Sequence, residues 1–507
     1  MKRLTVSIFL CFIWTIAAFA GDGRPDTRIQ AYIEEIAASE PMASAQLGVK
    51  AVGLDGTVYA DWSSGSRFQP ASNAKLITTG AVLNELGPEA KMETALAYSG
   101  KIEDGTLKGD LYIVGGGDPT LGTKDSIAVN LQTLFGQWKK ALESNGIHRI
   151  DGNVVGDGRW FEGQGEHPSW LYEDIGTYYG AGMDALSFYR NIQEFRVSAG
   201  PAAGTPLQVQ PQYPETPWMT FTYDCSTGVA GSGDKLYLYT TDLAPVAELR
   251  GTFASDRMPK TVECSNKFGS YTLAHYFLRS LTSAGMEVSG KAAYADRQGM
   301  VRTEPGGPVL RKAAEQSALT RFASFKSPSL ARIAYITNQR SDNFYAEALL
   351  RFLSKKKKGS ADYSVCPSAL SDAVRRLGLD PARGMNMVDG SGLSRKNSLS
   401  PAFMCSFLSA MMHSPACEAF AGSLTQPGKG SQVGRMRAED QSCAARIYYK
   451  SGSMDGVRCY SGYVVPQDGL KEDIIVFSIM VNNFDSSLQW KVMSQIDRMM
   501  ALIALEN

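Results

Sequence analysis

Three short motifs, far apart along the chain, contain the residue types needed for a serine nucleophile and its proton-transfer partners. S-x-x-K occurs at Ser72–Lys75, S-D-N at Ser341–Asn343 and K-S-G at Lys450–Gly452. A serine hydroxyl is a weak nucleophile until a base removes its proton, and a lysine can be that base where burial or a nearby positive charge lowers its pKa. Ser72 and Lys75 stand three residues apart at the start of a predicted helix and therefore share one of its faces. We predict Ser72 as the nucleophile, Lys75 as its base and Lys450 as the source of the positive charge.

The second motif precedes a predicted amphipathic helix. We predict that Ser341 relays a proton to a leaving amine and that Asn343 hydrogen-bonds the backbone amide of a substrate. Serine, aspartate and asparagine are also good helix caps, so a structural role at a helix end is the alternative for this motif and for Ser72. Ser354 and Lys357 fit S-x-x-K as well. The pattern alone therefore does not select the nucleophile.

The third motif ends a predicted strand. Gly452 would let an extended substrate approach the backbone closely, and Ser451 could bind a terminal carboxylate. The backbone N–H of Ser453, together with that of Ser72, could form an oxyanion hole for the charge that develops on a carbonyl oxygen.

The elements that must position these motifs come from both ends of the chain. The apolar patterns predict a hairpin, the helix that carries Ser72 and Lys75, three C-terminal strands and a last helix. These predictions cover residues 45–62, 70–86, 446–449, 460–465, 473–481 and 486–505. Strands and helices from the two ends could share one sheet.

The middle of the chain has a different character. Residues 93–302 are rich in Gly, Thr, Tyr and Val, with many short strand-like runs, and Pro305–Pro308 is a natural hinge after them. Since 507 residues are too many for one core, we predict a signal peptide over 1–20, a discontinuous catalytic domain over 21–92 and 308–507, and a β-rich inserted domain over 93–307. Residues 309–440 are predicted to be mostly helical.

The overall composition limits the kinds of partner that the protein is expected to bind. The formal net charge is zero and the sequence pI is about 6.9, which does not resemble a nucleic-acid-binding surface. No cysteine or histidine group has the spacing of metal ligands, and we predict no cofactor. The run Lys355–Lys358 fits a solvated loop, and peripheral contact with an anionic membrane surface is its alternative.

The N-terminus indicates export. Lys2 and Arg3 precede a mostly apolar stretch, and Ala18–Ala20 fits a small-x-small cleavage site. A retained anchor is the alternative, although the stretch is short for a membrane span. Seven cysteines follow the predicted cleavage site, an odd number in a compartment where disulfides persist. We predict two disulfides, Cys225 with Cys264 and Cys443 with Cys459.

With these motifs in this order, the chain resembles the class C low-molecular-mass penicillin-binding proteins, which are D-alanyl-D-alanine carboxypeptidases and endopeptidases. The resemblance includes the segments Gly115–Leu121 and Asp389–Arg395 and the large insertion between the first two motifs. It implies an α/β (α+β) fold, in which a transpeptidase/β-lactamase-like domain is split by a β-rich insertion. It also implies acylation and hydrolysis at Ser72 on peptidoglycan stem peptides, covalent inhibition by β-lactams, and a periplasmic location. Ser451 departs from the threonine usual in the family but keeps the hydroxyl.

The resemblance also implies a pocket for a diaminopimelate side chain. An acid of the insertion and the last arginine of the Asp389–Arg395 segment would bind its ammonium and carboxylate groups. By position and context these are Asp157 and Arg395, and Met454 could line the same pocket. A turn role for Asp157 and a packing role for Met454 are the alternatives.

Two other functions fit the same motifs. One is a β-lactamase or esterase on the same domain, and the other is a non-catalytic penicillin- or peptidoglycan-binding protein. The sequence leaves open the choice between carboxypeptidase and endopeptidase action, the native cross-link and the oligomeric state.

Overall fold

The computed structural model describes residues 25–428, 441–467 and 473–506, and the predicted signal peptide lies outside them. The α-helices, in chain order, are α1 (Arg28–Ala37), α2 (Ala74–Leu86), α3 (Leu131–Ser144), α4 (Gly269–Ser283), α5 (Leu330–Arg340), α6 (Asn343–Lys358), α7 (Cys366–Arg376), α8 (Pro401–Met412), α9 (Cys417–Ala421), α10 (Gln441–Ala444) and α11 (Gln489–Leu505). None of the helices within these ranges is long and apolar enough to span a membrane.

The strands, in chain order, are β1 (Gln46–Gly53), β2 (Val58–Trp62), β3 (Lys91–Tyr98), β4 (Lys101–Glu103), β5 (Thr106–Lys108), β6 (Leu111–Val114), β7 (Arg149–Asp151), β8 (Val154–Asp157), β9 (Ile192–Ser198), β10 (Gln208–Pro211), β11 (Thr220–Gly228), β12 (Asp234–Thr240), β13 (Val246–Ala254), β14 (Lys260–Ser265), β15 (Glu287–Val288), β16 (Ala292–Ala295), β17 (Met300–Arg302), β18 (Val309–Lys312), β19 (Thr320–Ser329), β20 (Met385–Asn386), β21 (Ser398–Leu399), β22 (Ile447–Met454), β23 (Val457–Val464) and β24 (Ile475–Asn482).

Both ends of the chain meet in one antiparallel sheet, with the strand order β2-β1-β24-β23-β22. β1 pairs with β24 along its whole length, from Gln46 opposite Asn482 to Gly53 opposite Ile475. The predicted sharing of one sheet by the two ends therefore agrees with the structure, and β22 becomes an edge strand of this sheet.

Helices cover both faces of this sheet, so its central strand β24 is buried along its whole length and is mostly apolar. Along β24, Phe477 and Ile479 face a core shared with α1 and α11, whereas Val476 and Met480 face the core formed with α2, α6 and α8. The period of two thus distributes apolar residues to two separate cores. The helix α2, with Ser72 just before it, is buried in the second core.

The inserted part is built from separate sheets and two helices. The largest sheet has seven strands, in the order β18-β17-β16-β8-β6-β3-β19. Smaller sheets have the orders β15-β7-β5-β4, β10-β9-β14 and β11-β13-β12. Helices α3 and α4 pack together through Trp138 and Phe277, whose rings meet edge to face at 5.0 Å.

The insertion ends later than the sequence indicates. β19 pairs with β3 and leads directly into α5, so the inserted sheets run from Lys91 to Ser329 rather than over 93–307. Residues 309–329 contain β18 and β19, not the predicted helix. These are the two edge strands of the seven-stranded sheet. All residues of β18 and most of β19 are exposed or only partly buried, so neither strand has the apolar run that marks a buried strand.

The predicted disulfides are wrong in this structure, where none of the seven cysteines from Cys225 to Cys459 forms one. Cys459 faces the core that contains α2, whereas Cys443 faces the core that contains α11, so the sheet separates their side chains. Cys225 and Cys264 border one small core but lie on strands of different sheets, β11 and β14.

Candidate active site

Ser72 lies in a single 3-10 turn, Ala71–Asn73, that leads into α2. Lys75 is one turn further along, and its Nζ donates a hydrogen bond to Ser72 Oγ at 2.9 Å. The predicted nucleophile and base are thus in direct contact.

The ammonium group of Lys75 is fully buried. Besides Ser72 Oγ, it donates to Asn343 Oδ1 at 2.6 Å and to the Ser391 carbonyl at 2.7 Å. These three acceptors match its three protons. Burial lowers its pKa to about 8, against the opposing effect of Asp389 and Glu347. Lys75 therefore has a neutral form accessible near neutral pH, which a general base requires.

The second motif connects α5 to α6. Ser341 has a left-handed backbone (φ 57°), and its Oγ accepts a 2.9 Å hydrogen bond from Lys450 Nζ. Lys450 is fully buried and also donates to the Ser451 carbonyl at 2.6 Å. Burial, helped by the charge of Lys75, lowers the pKa of Lys450 far below its ordinary value. The structure thus brings the three predicted motifs together.

The third motif lies on the edge strand β22. A side chain on Gly452 would lie within 3.1 Å of the Ser72 nitrogen and 2.9 Å of the Asn73 nitrogen, so only glycine lets the strand pack against this turn. The next residue, Ser453, lines the same cleft as Ser72. The backbone of this edge strand faces the nucleophile at close range.

A cleft of about 440 Å³ opens over these groups. Its walls come from the catalytic motifs, from loop 171–179 of the insertion and from the segment before β21. The lining includes Ser72, Ser341, Asn343, Ser453, Met454, Asp174, Tyr179, Arg190, Gly392 and Arg395. Among the residues described, no group of three or more His, Cys, Asp or Glu side chains is placed to hold a metal ion.

Asp157 lies elsewhere. It is fully buried at the end of β8, and both its carboxylate oxygens bind Arg159, at 2.9 and 2.7 Å. It does not line the cleft of Ser72. This placement corrects the assignment of Asp157 as a substrate-binding acid, since its charge is already matched inside the protein. Arg395 and Met454, in contrast, line the cleft as predicted.

Asp174 is the insertion acid that does reach the cleft. Burial raises the pKa of this carboxyl, whereas a hydrogen bond from Tyr179 and the charge of Arg395 lower it. Asp174 was not among the predicted site residues, because its segment has no regular spacing of apolar residues and joins no strand. The adjoining acids Glu173 and Asp174, set among Trp170, Tyr172 and Tyr178, were the available signal.

Two buried acids hold the segment that carries Arg395. Asp389 accepts hydrogen bonds from the N–H groups of Gly392 and Ser394, at 2.8 and 2.6 Å, and from the indole of Trp170 at 2.9 Å. Glu347 accepts from the Ser391 N–H at 2.8 Å, and burial raises its pKa to about 7. The same segment supplies the Ser391 carbonyl that binds Lys75.

Comparison with known proteins shows which family these motifs belong to. Residues 29–503 match the sequence model of the D-Ala-D-Ala carboxypeptidase 3 (S13) family. The chain belongs to this family. The resemblance inferred from the motifs is confirmed, and the S13 enzyme is a serine-type D,D-peptidase by class.

Individual relatives of this S13 enzyme span most of its length. A D-alanyl-D-alanine carboxypeptidase of Actinomadura sp. is 28% identical over 438 residues, which cover 83% of this chain and 74% of the relative. The D-alanyl-D-alanine carboxypeptidase DacB of Haemophilus influenzae is 23% identical over 441 residues, covering 83% and 82%. The crystal structure of penicillin binding protein 4 (dacB) from H. influenzae has a TM-score of 0.74 at 19% identity, covering 95% of this chain and 98% of its own. This likeness confirms the predicted fold class.

The second S-x-x-K of the S13 enzyme has a structural role. Ser354 is buried in α6, and its Oγ donates to the Ser360 carbonyl at 2.6 Å. Lys357 forms an ion pair with Glu85 at 2.6 Å. Neither residue lines the cleft.

The insertion of the S13 enzyme holds its second motif in place. Arg190 binds Asp342, the middle residue of the motif, at 2.9 Å. The Tyr179 carbonyl accepts from Asn343 Nδ2 at 2.9 Å, which directs Asn343 Oδ1 to Lys75. Arg190 itself has a left-handed backbone (φ 55°), in a turn where both of its neighbours have positive φ. A strained turn is thus kept where its side chain reaches the motif.

Replacement of Arg190 should therefore impair catalysis more than folding. Arg190→Gln removes a charge-assisted hydrogen bond worth about 1.5–3 kcal/mol, so we expect kcat/KM on a D-Ala-D-Ala peptide to fall about ten- to a hundredfold. Arg190→Lys should restore part of the loss. The matched control is Arg279→Gln, which breaks an exposed insertion ion pair with Glu215 and should leave kcat/KM unchanged. Equal losses in the two Gln variants would contradict the positioning role.

Proposed function

We propose that this protein hydrolyses peptidoglycan stem peptides ending in D-Ala-D-Ala through an acyl-enzyme on Ser72. The observation that carries the proposal is the contact between Ser72 Oγ and the buried ammonium of Lys75, at 2.9 Å, with the pKa of Lys75 lowered to about 8. A base poised near neutral pH beside a serine is the arrangement that nucleophilic catalysis needs.

Acylation begins when neutral Lys75 accepts the proton of Ser72 and Ser72 Oγ attacks the carbonyl carbon of the penultimate D-Ala. The N–H groups of Ser72 and Ser453 are proposed to stabilise the oxyanion, because Gly452 holds β22 against the turn of Ser72. Breakdown of the tetrahedral intermediate expels the terminal D-Ala as an amine, which must receive a proton. We propose that the proton which Lys75 took from Ser72 reaches the amine through Ser341, whose Oγ is bound to Lys450 Nζ, so that Lys75 is neutral again before hydrolysis begins.

Hydrolysis of the acyl-enzyme uses the same groups in reverse. Water gives a proton to the base as it attacks the ester carbonyl, and the proton then returns to Ser72 Oγ as the serine leaves. Product analysis with purified muropeptides separates terminal D-Ala removal from cleavage of D-Ala–diaminopimelate cross-links, both of which this chemistry allows.

Substrate recognition follows from the edge strand and the insertion. β22 is the outer strand of its sheet, so an extended peptide can pair with its backbone beside Ser72. Ser451, with its hydroxyl, is proposed to bind the terminal carboxylate. Arg395 and Asp174 line the cleft together and offer one cation and one anion to a zwitterionic diaminopimelate side chain.

The proposed site of action is the periplasm. A D,D-peptidase acts on the cell wall, and the apolar N-terminal segment with its Ala18–Ala20 site fits an export signal. The proposed covalent inhibitors are β-lactams, which mimic the acyl donor.

The first test is covalent labelling with fluorescent penicillin. The mature protein should be labelled and Ser72→Ala should not, while its circular dichroism stays unchanged. Lys75→Ala should fold but acylate about 10²–10⁴-fold more slowly, because a positioned base is lost. The control is Ser354→Ala, which should keep the label. Label retained in Ser72→Ala would refute the assignment, and rapid release of hydrolysed penicillin would favour a β-lactamase.

The acylation rate should also follow the protonation state of Lys75. Since the pKa of Lys75 is lowered to about 8, its neutral form is minor below pH 8 and dominant above. The second-order rate constant with benzylpenicillin should therefore rise about tenfold per pH unit on the acid side and level off above about pH 8. Stopped-flow measurements from pH 6 to pH 9.5 check this. A flat profile would exclude Lys75 as the base.

Asp174 should matter only for substrates with a side-chain ammonium. Asp174→Asn removes a charge-assisted bond worth about 1.5–3 kcal/mol, so kcat/KM on a diaminopimelate stem peptide should fall about ten- to a hundredfold. Acylation by benzylpenicillin, which lacks the ammonium group, should barely change, and Arg395→Ala should behave alike. Asp157→Asn is the contrast, because it breaks a buried pair and should lower thermal stability instead. If Asp174→Asn lowered kcat/KM on the stem peptide and the acylation rate with benzylpenicillin equally, Asp174 would have a structural role instead.

A further inference from the structure

A group of tyrosines lies outside the lining of the cleft, two of them on β12 and one on the loop 171–179. Tyr172 is 66% exposed and Tyr237 is 42% exposed. Tyr239 is half-buried, and its ring lies 5.3 Å from that of Tyr172. Tyr237 and Tyr239 are two residues apart on β12, so both point to the same face. We call Tyr172, Tyr237 and Tyr239 the tyrosine face.

The tyrosine face continues directly from the catalytic cleft. Tyr172 stands between Leu171 and Glu173, which both line the cleft. The loop that carries these residues packs on β12, because a side chain on Gly176 would collide with the Leu238 carbonyl. The loop that forms one wall of the cleft therefore also carries one tyrosine of the tyrosine face and packs on the strand that carries the other two.

Polar groups border the rings. The Arg250 guanidinium lies over the Tyr239 ring, 4.6 Å from its centre, and is paired with Glu248. In the β12–β13 register, Arg250 is opposite Tyr237 and Glu248 is opposite Tyr239. Arg250, like Tyr172 and Tyr237, is exposed. The face thus combines flat apolar rings with donors and acceptors for hydrogen bonds.

This combination fits a carbohydrate. A pyranose ring presents C–H groups on one face, which pack on an aromatic ring, and hydroxyl and amide groups at its edges, which hydrogen-bond to charged side chains. An exposed aromatic patch of this kind marks an interaction surface. A lipid surface would favour a face without the Glu248 carboxylate, since a negative charge opposes contact with an anionic bilayer.

We propose that the tyrosine face binds the glycan strand of peptidoglycan, the polymer of N-acetylated amino sugars that carries the stem peptide in the cleft. The proposal rests on the proposed function, because the peptide in the cleft and the sugar on the tyrosine face belong to one molecule. The enzyme would thereby favour peptides still attached to the cell wall over free peptides of the same sequence.

The test compares one peptide in two contexts, glycan-linked in polymeric peptidoglycan and free as a stem peptide. For the double variant Tyr172→Ala/Tyr237→Ala we expect about tenfold lower kcat/KM on the polymer, mostly through KM, since each ring contact contributes modestly. Hydrolysis of the free peptide and acylation by benzylpenicillin should be unchanged. The matched control is Tyr335→Ala, which removes a 47% exposed tyrosine from α5 and should change neither substrate.

A direct binding measurement makes the result independent of catalysis. Glycan strands stripped of their peptides by an amidase should sediment the wild-type protein, and sediment less of the double variant. Equal kcat/KM and equal sedimentation for wild type and double variant would overturn the proposal. So would equal losses on polymer and free peptide, or binding that the double variant loses only on phospholipid vesicles. If the wild type hydrolysed neither substrate, the proposed function would fail, while sedimentation would still test the tyrosine face.

Discussion

The burial of two lysine ammonium groups in one small site is the constraint on which the rest of the structure depends. Removing a charge from water is expensive, and two like charges repel more strongly where water is scarce. Hydrogen-bond acceptors that the fold holds in place around the two ammonium groups offset part of this cost. Lys75 has Ser72, Asn343 and the Ser391 carbonyl, and Lys450 has Ser341 and the Ser451 carbonyl. The part of the cost that remains lowers the pKa values of both lysines. The lowered pKa of Lys75 allows it to act as a base.

The five acceptors come from four separate parts of the chain, so the site exists only when several elements converge. The turn before α2, the junction of α5 and α6, the segment after β20 and the edge strand β22 all contribute. Fully buried Glu347 and Asp389 add negative charge behind Lys75 and fix the backbone that presents the Ser391 carbonyl. The insertion contributes through Arg190 and the Tyr179 carbonyl. It is therefore part of the support for the catalytic motif, besides forming a wall of the cleft.

The sequence alone predicts those parts of the site in which the chemistry requires particular residue types a few positions apart. The convergence of Ser72, Lys75, Ser341, Asn343 and Lys450 in one site could be predicted. So could the sheet shared by the two chain ends, because the apolar patterns of its strands are clear in the sequence. Asp174 was not predicted, since the acidic and aromatic cluster around it is a weak signal and does not by itself distinguish an acid facing a cleft from one paired inside the protein, such as Asp157. The end of the insertion was misplaced because β18 and β19 are edge strands with few buried residues. Cysteine spacing, likewise, does not reveal that a sheet stands between two thiols.

The pairing of β1 with β24 has a consequence for how the enzyme folds as it is synthesised. A chain made from its N-terminus presents Ser72 early, but β24, which pairs with β1, and β22, which carries Lys450, are among the last strands to be synthesised. The inserted sheets, closed by β3 and β19, pair only with residues already present. They can fold while the catalytic sheet is still incomplete, and contacts across such long separations form slowly. Lys75 is made together with Ser72, but the proposed oxyanion hole and proton relay are completed only when β22 joins the sheet, so a chain without β22 lacks a complete catalytic site.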